Sequence, residues 1–241
     1  MFKPVLAVSA LVLASVPAHA VTITQWNFNS PPSDSNSATG TLTPSAGAGT
    51  ASAVGGVTLS YASGDANGGS SDPTIGTPTN DSGWQTTTYA TQGAGDKTRG
   101  VQFSASTVGY QGVVISYDLR HSNTSSRYEA VQYTLNGSTW IDAITFDGNA
   151  GDTWFNARSV DLSSVAGASN NANFGFRVLA TFAPSGSTYL ASSSASSYGT
   201  TGTWRFDMAT VSGVTAVPEP GTYAMLLAGL AAVGFVARRR G

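Results

Sequence analysis

The chain has no cysteine and very few charged residues. Charged side chains make up 10% of its 241 residues, and its only lysines and glutamates are Lys3, Lys97, Glu129 and Glu219. The absence of cysteine excludes a disulfide framework, a thiolate zinc site and a cysteine nucleophile. The scarcity of lysine and glutamate excludes a mostly helical soluble domain, because helix surfaces are normally built from these residues.

The body of the chain also lacks a basic surface and the histidines of a metal enzyme. Between residues 21 and 216 there are 7 basic and 12 acidic residues, a net charge of −5, so no nucleic-acid partner is expected. His121 is the only histidine after residue 20. Since zinc catalysis generally needs two or more histidines, a metallohydrolase is not expected, and His121 is predicted to lie in a loop near the surface.

The chain is rich in serine, threonine, glycine and aromatic residues, where an average domain has charged ones. The chain contains 32 Ser, 29 Thr and 28 Gly, and its 10 Phe, 9 Tyr and 5 Trp are too many for a fully disordered chain. Apolar and polar residues alternate in short segments such as 101–105 and 174–178, which is typical of β-strands. Asn136-Gly137 between two such segments predicts a hairpin whose two turn residues both have positive φ. These patterns predict an all-β fold, a jelly-roll-like β-sandwich over residues 21–216 that is rich in loops at 30–100 and has neighbouring first and last strands.

Residues 1–20 have the features of a secretory signal peptide. Lys3 provides a positive start, an apolar stretch follows at 5–16, and Ala18-His19-Ala20 has the small-residue pattern of a cleavage site. A short membrane anchor is the alternative, but the stretch is short for a membrane crossing. We therefore expect Sec-dependent export, with Ala18 and Ala20 directing cleavage.

Three features follow one another at residues 217–240. They are the motif Val217-Pro218-Glu219-Pro220-Gly221, the uncharged run Tyr223–Ala237, and the basic tail Arg238-Arg239-Arg240. The run extends about 22 Å as a helix, against about 30 Å for a hydrocarbon core, and arginine side chains can reach back to the interface. The sequence thus predicts one transmembrane helix at about 221–237, with the arginines as a cytoplasmic stop-transfer signal. A buried helix of the globular domain is the alternative.

This arrangement resembles the PEP-CTERM sorting signal of Gram-negative bacteria, which is also labelled an ice-binding-protein C-terminal domain. The resemblance rests on the motif, the apolar run and the basic tail, at residues 217–241. It implies recognition of Pro218, Glu219 and Pro220 by an exosortase, a membrane-embedded cysteine transpeptidase, followed by release or attachment at the cell surface. Such proteins usually belong to bacteria that make exopolysaccharide, biofilm or floc matrix. Residues 101–213 also resemble the bodies of other PEP-CTERM proteins, which are thought to be jelly-roll or lectin-like.

Aromatic residues in loop-like segments are the sugar-binding candidates, because flat rings stack on pyranose rings. Trp84, Trp140 and Trp154 are the predicted sugar contacts, whereas Trp26 and Trp204 alternate within strands and are expected in the core. The sequence has no regular Thr-x-Thr ladder, which ice binding would need.

Calcium is the ion that the loops suit best, in a structural role. Three oxygen-bearing side chains share a glycine-containing loop: Asp147, Asn149 and Asp152. Turn formation explains these residues equally well. By analogy with some jelly-roll carbohydrate-binding modules, an alternative ion site between the first and last strands uses Asn27 or Asn29 with Asp207.

A secreted hydrolase acting on polysaccharide is the competing function. A glycosidase needs two carboxylates across a cleft, and Glu129 with Asp118 or Asp142 is the candidate pair. Glu129 beside Arg127 fits a cross-strand pair on a solvated face better. No nucleophile-elbow motif accompanies His121, so no catalytic residue is predicted.

The sequence therefore predicts a non-enzymatic protein that is exported to the cell surface or extracellular matrix without a cofactor. Its expected partners are the Sec machinery and an exosortase during processing, with transient anchoring in the inner membrane, and exopolysaccharide or matrix proteins afterwards. A purely structural matrix protein without a discrete ligand is the remaining alternative. Loop tryptophans on one open face favour sugar binding, and buried or scattered tryptophans favour the structural role.

Overall fold

The computed structural model describes residues 19–73, 81–216 and 220–240. In these ranges, eleven β-strands and a short 3₁₀ turn at 66–68 precede one long helix, α1 (Pro220–Arg240). The strands are β1 (Ala20–Trp26), β2 (Gly49–Val54), β3 (Thr58–Ser63), β4 (Ser82–Thr87), β5 (Gly100–Ala105), β6 (Tyr110–His121), β7 (Tyr128–Thr134), β8 (Trp140–Asp147), β9 (Thr153–Asp161), β10 (Gly175–Thr181) and β11 (Trp204–Thr215). Most of the predicted signal peptide, including Ala18, and motif residues Val217, Pro218 and Glu219 lie outside the described ranges.

The strands form two antiparallel sheets packed face to face. One sheet has the order β3-β4-β11-β6-β9, with β1 also paired to β11, and the other has the order β2-β5-β10-β7-β8. This arrangement confirms the predicted all-β sandwich. The segment 30–100 contains more regular structure than its composition suggested, because β2, β3 and β4 all lie within it.

Aromatic rings fill the core between the two sheets. Trp26 and Trp204 are fully buried, as predicted. Phe103 of β5 stacks on Phe176 of β10 with ring centroids 4.7 Å apart, and Trp84 of the opposite sheet meets the same Phe103 ring at 6.0 Å. Such pairs contribute about 0.5–1.5 kcal/mol each beyond the burial of apolar area. Since the chain has no disulfide, this packing is the main source of its stability.

The first and last strands are neighbours, as predicted. Residues 20–26 pair with residues 209–214 of β11, and residues 204–206 of β11 pair with β4. Between these two pairings the β11 backbone is irregular, with a register shift after Asp207 and a φ of 48° at Met208. Asp207 therefore lies where β1, β4 and β11 meet.

The predicted hairpin is confirmed in position but has a longer turn. β7 and β8 pair from Tyr128 opposite Asp147 to Thr134 opposite Trp140. In the loop between them, Asn136 Oδ1 accepts hydrogen bonds from the backbone N–H groups at 138 and 139, and only Gly137 has a positive φ, 76°. A side-chain hydrogen bond thus shapes this turn, in place of two residues with positive φ.

Helix α1 contains the predicted apolar run and basic tail. Leu226, Leu230 and Phe235 are exposed on it, by 60%, 61% and 69%. Within the described ranges, none of the helices combines the length and apolarity that a membrane crossing requires. The predicted transmembrane span is therefore not confirmed.

Candidate functional site

A row of polar side chains crosses the outer face of the five-stranded sheet. The strand registers place one residue of each strand side by side in the order Ser52, Gln102, Arg177, Gln132, Asp142. On β2, β5, β10 and β7 their neighbours along the strand face the core, as Phe176 and Val178 do on either side of Arg177. On the edge strand β8, Asp142 and its neighbour Ile141 are both exposed. Neighbouring strands lie about 4.8 Å apart, so this polar row is about 19 Å long.

Hydrogen bonds hold three of the five residues of the polar row in a single arrangement. Arg177 Nε donates to Gln132 Oε1 over 2.5 Å, and Gln132 Nε2 donates to Asp142 Oδ1. Lys97 Nζ lies 2.6 Å from Asp142 Oδ2. The hydrogen bonds from Lys97 and Gln132 lower the pKa of Asp142, so its carboxylate is ionised at neutral pH. Burial lowers the pKa of Arg177, but an arginine stays protonated at neutral pH.

Trp140, one of the predicted sugar contacts, lies beside the polar row. It is the first residue of β8 and is half-buried, and the guanidinium carbon of Arg177 lies 4.5 Å from its ring centroid. The ring borders a depression of about 80 Å³ that is also lined by Ser104, Thr134 and Gly175. The cation–π contact holds the indole in place. A flat ring beside hydroxyl and amide groups is the combination that binds the face and the hydroxyls of a pyranose.

The other two predicted sugar contacts are buried, so those predictions are wrong. Trp84 is 1% exposed and packs against Phe28 and Phe103. Trp154 is 8% exposed, and its Nε1 donates to the backbone carbonyl of Ala66 over 2.8 Å. Both residues belong to strands, β4 and β9, whose flanking glycine, asparagine and serine residues suggested loops.

The predicted calcium loop uses its carboxylates for arginine pairs. Asp147 accepts two hydrogen bonds of 2.7 Å from Arg127, and Asp152 pairs with Arg120. Asn149 is exposed. Because each carboxylate already has a counter-charge, the loop does not present the free oxygens that a calcium ion needs. The calcium prediction for Asp147, Asn149 and Asp152 is corrected accordingly.

A buried acidic cluster lies instead at the six-stranded sheet. Carboxylate oxygens of Asp72, Asp81 and Asp207 lie within 4.8 Å of one another. Asn29 Nδ2 donates to Asp72 and Ser70 Oγ donates to Asp207, each over 2.8 Å. Burial, helped by neighbouring carboxylates, raises the pKa of Asp81 to about 6 and that of Asp207 well above its ordinary value. Oxygen atoms at this spacing are of the kind that bind hard divalent cations. The cluster brings together Asn29 and Asp207, which the sequence analysis named as an alternative ion site.

His121 and Glu129 lie in the core, where sequence reasoning did not expect them. His121 ends β6 and is fully buried, and its Nε2 lies 2.8 Å from Glu129 Oε2. The other oxygen of Glu129 lies 2.8 Å from Arg158 Nε. The expected pair between Glu129 and Arg127 is wrong, because Glu129 points inward between the sheets and Arg127 instead binds Asp147.

The three candidate catalytic carboxylates do not face one another. Glu129 is buried in the core, whereas Asp142 belongs to the polar row of the five-stranded sheet. Asp118 is buried at the six-stranded sheet, where it accepts hydrogen bonds from the backbone N–H groups of Ser71 and Ala157. These positions do not form the pair across a cleft that glycoside hydrolysis uses.

Sequence reasoning missed most of the polar row and two thirds of the acidic cluster. Alternation with Phe176 and Val178 marks Arg177 as outward-facing, but only the strand registers bring Gln102 and Gln132 beside it. Asp72 and Asp81 flank a glycine- and proline-containing segment and carry no signal beyond turn chemistry.

The C-terminal segment matches a known family model. Residues 216–240 match the PEP-CTERM protein-sorting motif. The chain therefore carries this motif, which implies a protein that is sorted by an exosortase and destined for the cell surface. No curated protein matches the chain.

Solved structures with a similar fold include carbohydrate-binding modules. The CBM22-1–GH10 modules of Clostridium thermocellum xylanase 10B, complexed with xylohexaose, are 12% identical and have a TM-score of 0.45 over 83% of this chain and 29% of that chain. The tandem CBM22 domains of Paenibacillus barcinonensis Xyn10C are 13% identical, with a TM-score of 0.42 over 86% and 49%. The K1 cleaved adhesin domain of Lys-gingipain from Porphyromonas gingivalis is 14% identical, with a TM-score of 0.32 over 71% and 100%. The chain thus spans less than half the length of the two xylanase chains.

Proposed function

We propose that this protein is exported, processed by an exosortase-type transpeptidase, and acts at the cell surface as a non-catalytic β-sandwich that binds extracellular polysaccharide. The match of residues 216–240 to the PEP-CTERM protein-sorting motif supports the sorting route. In this proposal residues 1–20 direct Sec-dependent export, and the segment at about 221–237 holds the precursor at the inner membrane until processing.

The polar row with Trp140 is the observation that carries polysaccharide binding. Trp140 supplies a flat ring, Gln102 and Arg177 supply hydrogen-bond donors, and Ser104 supplies a hydroxyl group on the same face. All of these residues belong to strands of one sheet, which gives a more precise arrangement than loops do. The separation of Glu129, Asp118 and Asp142 supports a binding role over hydrolysis.

A structural matrix protein without a discrete ligand is the second candidate. The burial of Trp84 and Trp154 favours it, because these rings were two of the three expected platforms.

Co-sedimentation with polysaccharide separates the two candidates. The full chain, in detergent where needed, is mixed with exopolysaccharide extracted from its host, beside Trp140→Ala and the control Tyr61→Ala. Tyr61 is a half-buried aromatic of β3 in the other sheet. We expect the wild type and Tyr61→Ala to co-sediment and Trp140→Ala to remain in solution, since one stacked ring contributes about tenfold in affinity or more. If the wild type binds no polysaccharide, the structural role stands and the binding proposal fails.

A further inference from the structure

The polar row carries one positive charge that the protein itself leaves without a carboxylate partner. Asp142 is neutralised by Lys97, whose Nζ lies 2.6 Å away, and its other oxygen accepts from Gln132. Among the described residues, no carboxylate forms an ion pair with Arg177, whereas Arg127, which precedes β7, binds Asp147. The net charge of the row with Lys97 is therefore +1, in a body whose net charge is −5.

The Arg177 side chain is held in place before any ligand arrives. Its Nε donates to Gln132 Oε1, and its guanidinium carbon lies over the Trp140 ring, 4.5 Å from the ring centroid. In the described part of the chain, no protein acceptor takes a hydrogen bond from its two terminal nitrogens. The half-buried guanidinium thus keeps donors in a planar fork, which is the geometry that binds a carboxylate through two parallel hydrogen bonds.

The surroundings of Arg177 suit a sugar ring more than a free carboxylic acid. The depression beside Trp140 is lined by the exposed Ser104, whose hydroxyl group can both donate and accept. Gly175 forms its floor, where a Cβ atom would lie 2.7 Å from the carbonyl oxygen of Phe103. The row extends about 19 Å across five strands, so several units of a chain can lie along it.

We propose that the polar row binds an acidic polysaccharide, with Arg177 receiving a uronate carboxylate and Trp140 packing against the adjoining pyranose ring. This inference rests on the proposed function and specifies its ligand class. The complementarity is one of charge, geometry and ring stacking: the carboxylate supplies the anion that Arg177 lacks, and the sugar hydroxyls meet the amide of Gln102 and the hydroxyl of Ser104.

The ligand class can be tested on the wild type alone, by comparing a polyuronate with the same polymer after its carboxylates have been esterified. The full chain is run in affinity electrophoresis through polygalacturonate, through the same polymer with its carboxylates methyl-esterified, and through neutral xylan and dextran. We expect retardation by polygalacturonate that is about tenfold stronger than by the esterified polymer, because two charge-assisted hydrogen bonds are lost on esterification. The retardation should weaken when salt is raised from about 0.05 to about 0.5 M.

Two arginine variants assign the effect to one side chain. Arg177→Gln should bind polygalacturonate about as weakly as the wild type binds the esterified polymer, and Arg177→Lys should recover only part of the binding because it keeps the charge but not the fork. The matched control Arg127→Gln removes the same charge outside the row and should bind as the wild type does. Circular dichroism checks the fold of each variant.

The outcomes distinguish this inference from the proposed function. Equal retardation by free and esterified polymer, or retardation by neutral polymers that Arg177→Gln leaves unchanged, overturns the acidic ligand while the polysaccharide-binding function stands. No retardation by polygalacturonate overturns the acidic ligand, and the binding function is overturned with it only when the wild type also fails to co-sediment with the host's exopolysaccharide. Loss of binding in Arg127→Gln to the same degree as in Arg177→Gln shows a nonspecific charge effect and also overturns the assignment.

Discussion

At the scale of single residues, this fold buries charge in two different ways. Glu129 is buried with partners, because His121 and Arg158 each contact one of its oxygens over 2.8 Å. Asp81 and Asp207 are buried beside another carboxylate, and their pKa values rise as a result. Removing one partner of the first arrangement should destabilise the sandwich, whereas the second arrangement itself should destabilise it at neutral pH.

The acidic cluster predicts a pH dependence of stability with a definite sign. Because burial raises the pKa of Asp81 from 3.8 to about 6 and also raises that of Asp207, the native state keeps protons that the unfolded chain releases. The free energy of unfolding should therefore fall as the pH rises from about 4 to above about 6. Asp207→Asn should flatten this fall and raise stability at about pH 7 by about 1–2 kcal/mol.

Urea unfolding of the full chain at several pH values, with a chelator present, measures this effect. The control is Asp161→Asn, which changes an exposed carboxylate whose pKa is lowered by hydrogen bonds from Ser163. Asp161 therefore stays ionised between pH about 4 and about 6, and this variant should keep the pH slope of the wild type. If the free energy of unfolding changes with pH equally in the wild type and in Asp207→Asn between pH about 4 and about 6, the acidic cluster is not the source of the pH dependence.

The buried ionic contacts of Glu129 predict a large loss of stability on removing its charge. Glu129→Gln leaves Arg158 and His121 facing a neutral amide in the core, and breaking a buried pair typically costs about 3–5 kcal/mol. Asp147→Asn removes the exposed pair with Arg127, which should cost less than about 1 kcal/mol. Chemical denaturation of the two variants compares these values, and equal losses contradict the structural role of Glu129.

At the scale of elements, the turns position the candidate site. The loop between β7 and β8 determines where Trp140 begins β8, and within it Gly137 adopts a φ of 76°. A residue with a Cβ atom pays about 1–2 kcal/mol for that conformation, so the turn depends on glycine here.

Gly137→Ala should therefore destabilise the hairpin and weaken polysaccharide binding. A Cβ atom at position 137 meets no neighbour within 4 Å, so the expected loss of about 1 kcal/mol comes from the backbone alone. The control Gly199→Ala adds a Cβ at ordinary contact distance, 3.9 Å from Thr124, without a positive φ. Thermal unfolding and co-sedimentation should show losses in Gly137→Ala only; unchanged stability in that variant contradicts this account of the turn.

Sequence patterns predicted elements better than they predicted the neighbours of each element. Alternation located β5, β10 and β11, and Asn136-Gly137 located the hairpin, because both signals are local. Trp84 and Trp154 were misplaced, since glycine- and serine-rich flanks hide short strands whose inward faces are set by pairing with distant strands. The polar row depends on registers between β5, β10, β7 and β8, which no single segment specifies.

At the scale of the whole molecule, the β-sandwich and the sorting motif have separate roles. The sandwich holds the polar row on a rigid sheet, while residues 216–240 match a sorting motif with its own basic tail. The proposed function therefore depends first on whether the motif is used, since only an exported and processed protein meets extracellular polysaccharide.

The most direct test of this account is the intact mass and cell fraction of the protein from its native host, with and without Glu219→Ala. The account predicts that the wild type leaves the membrane fraction and lacks both residues 1–20 and the segment beyond Pro220, any excess mass reporting an attached anchor or glycan. Glu219→Ala should stay in the inner membrane with that segment intact, while Asp161→Asn should be processed like the wild type. A wild-type protein that retains its C-terminal segment in the membrane, with the same mass and location in Glu219→Ala, contradicts the sorting route and the surface role that depends on it.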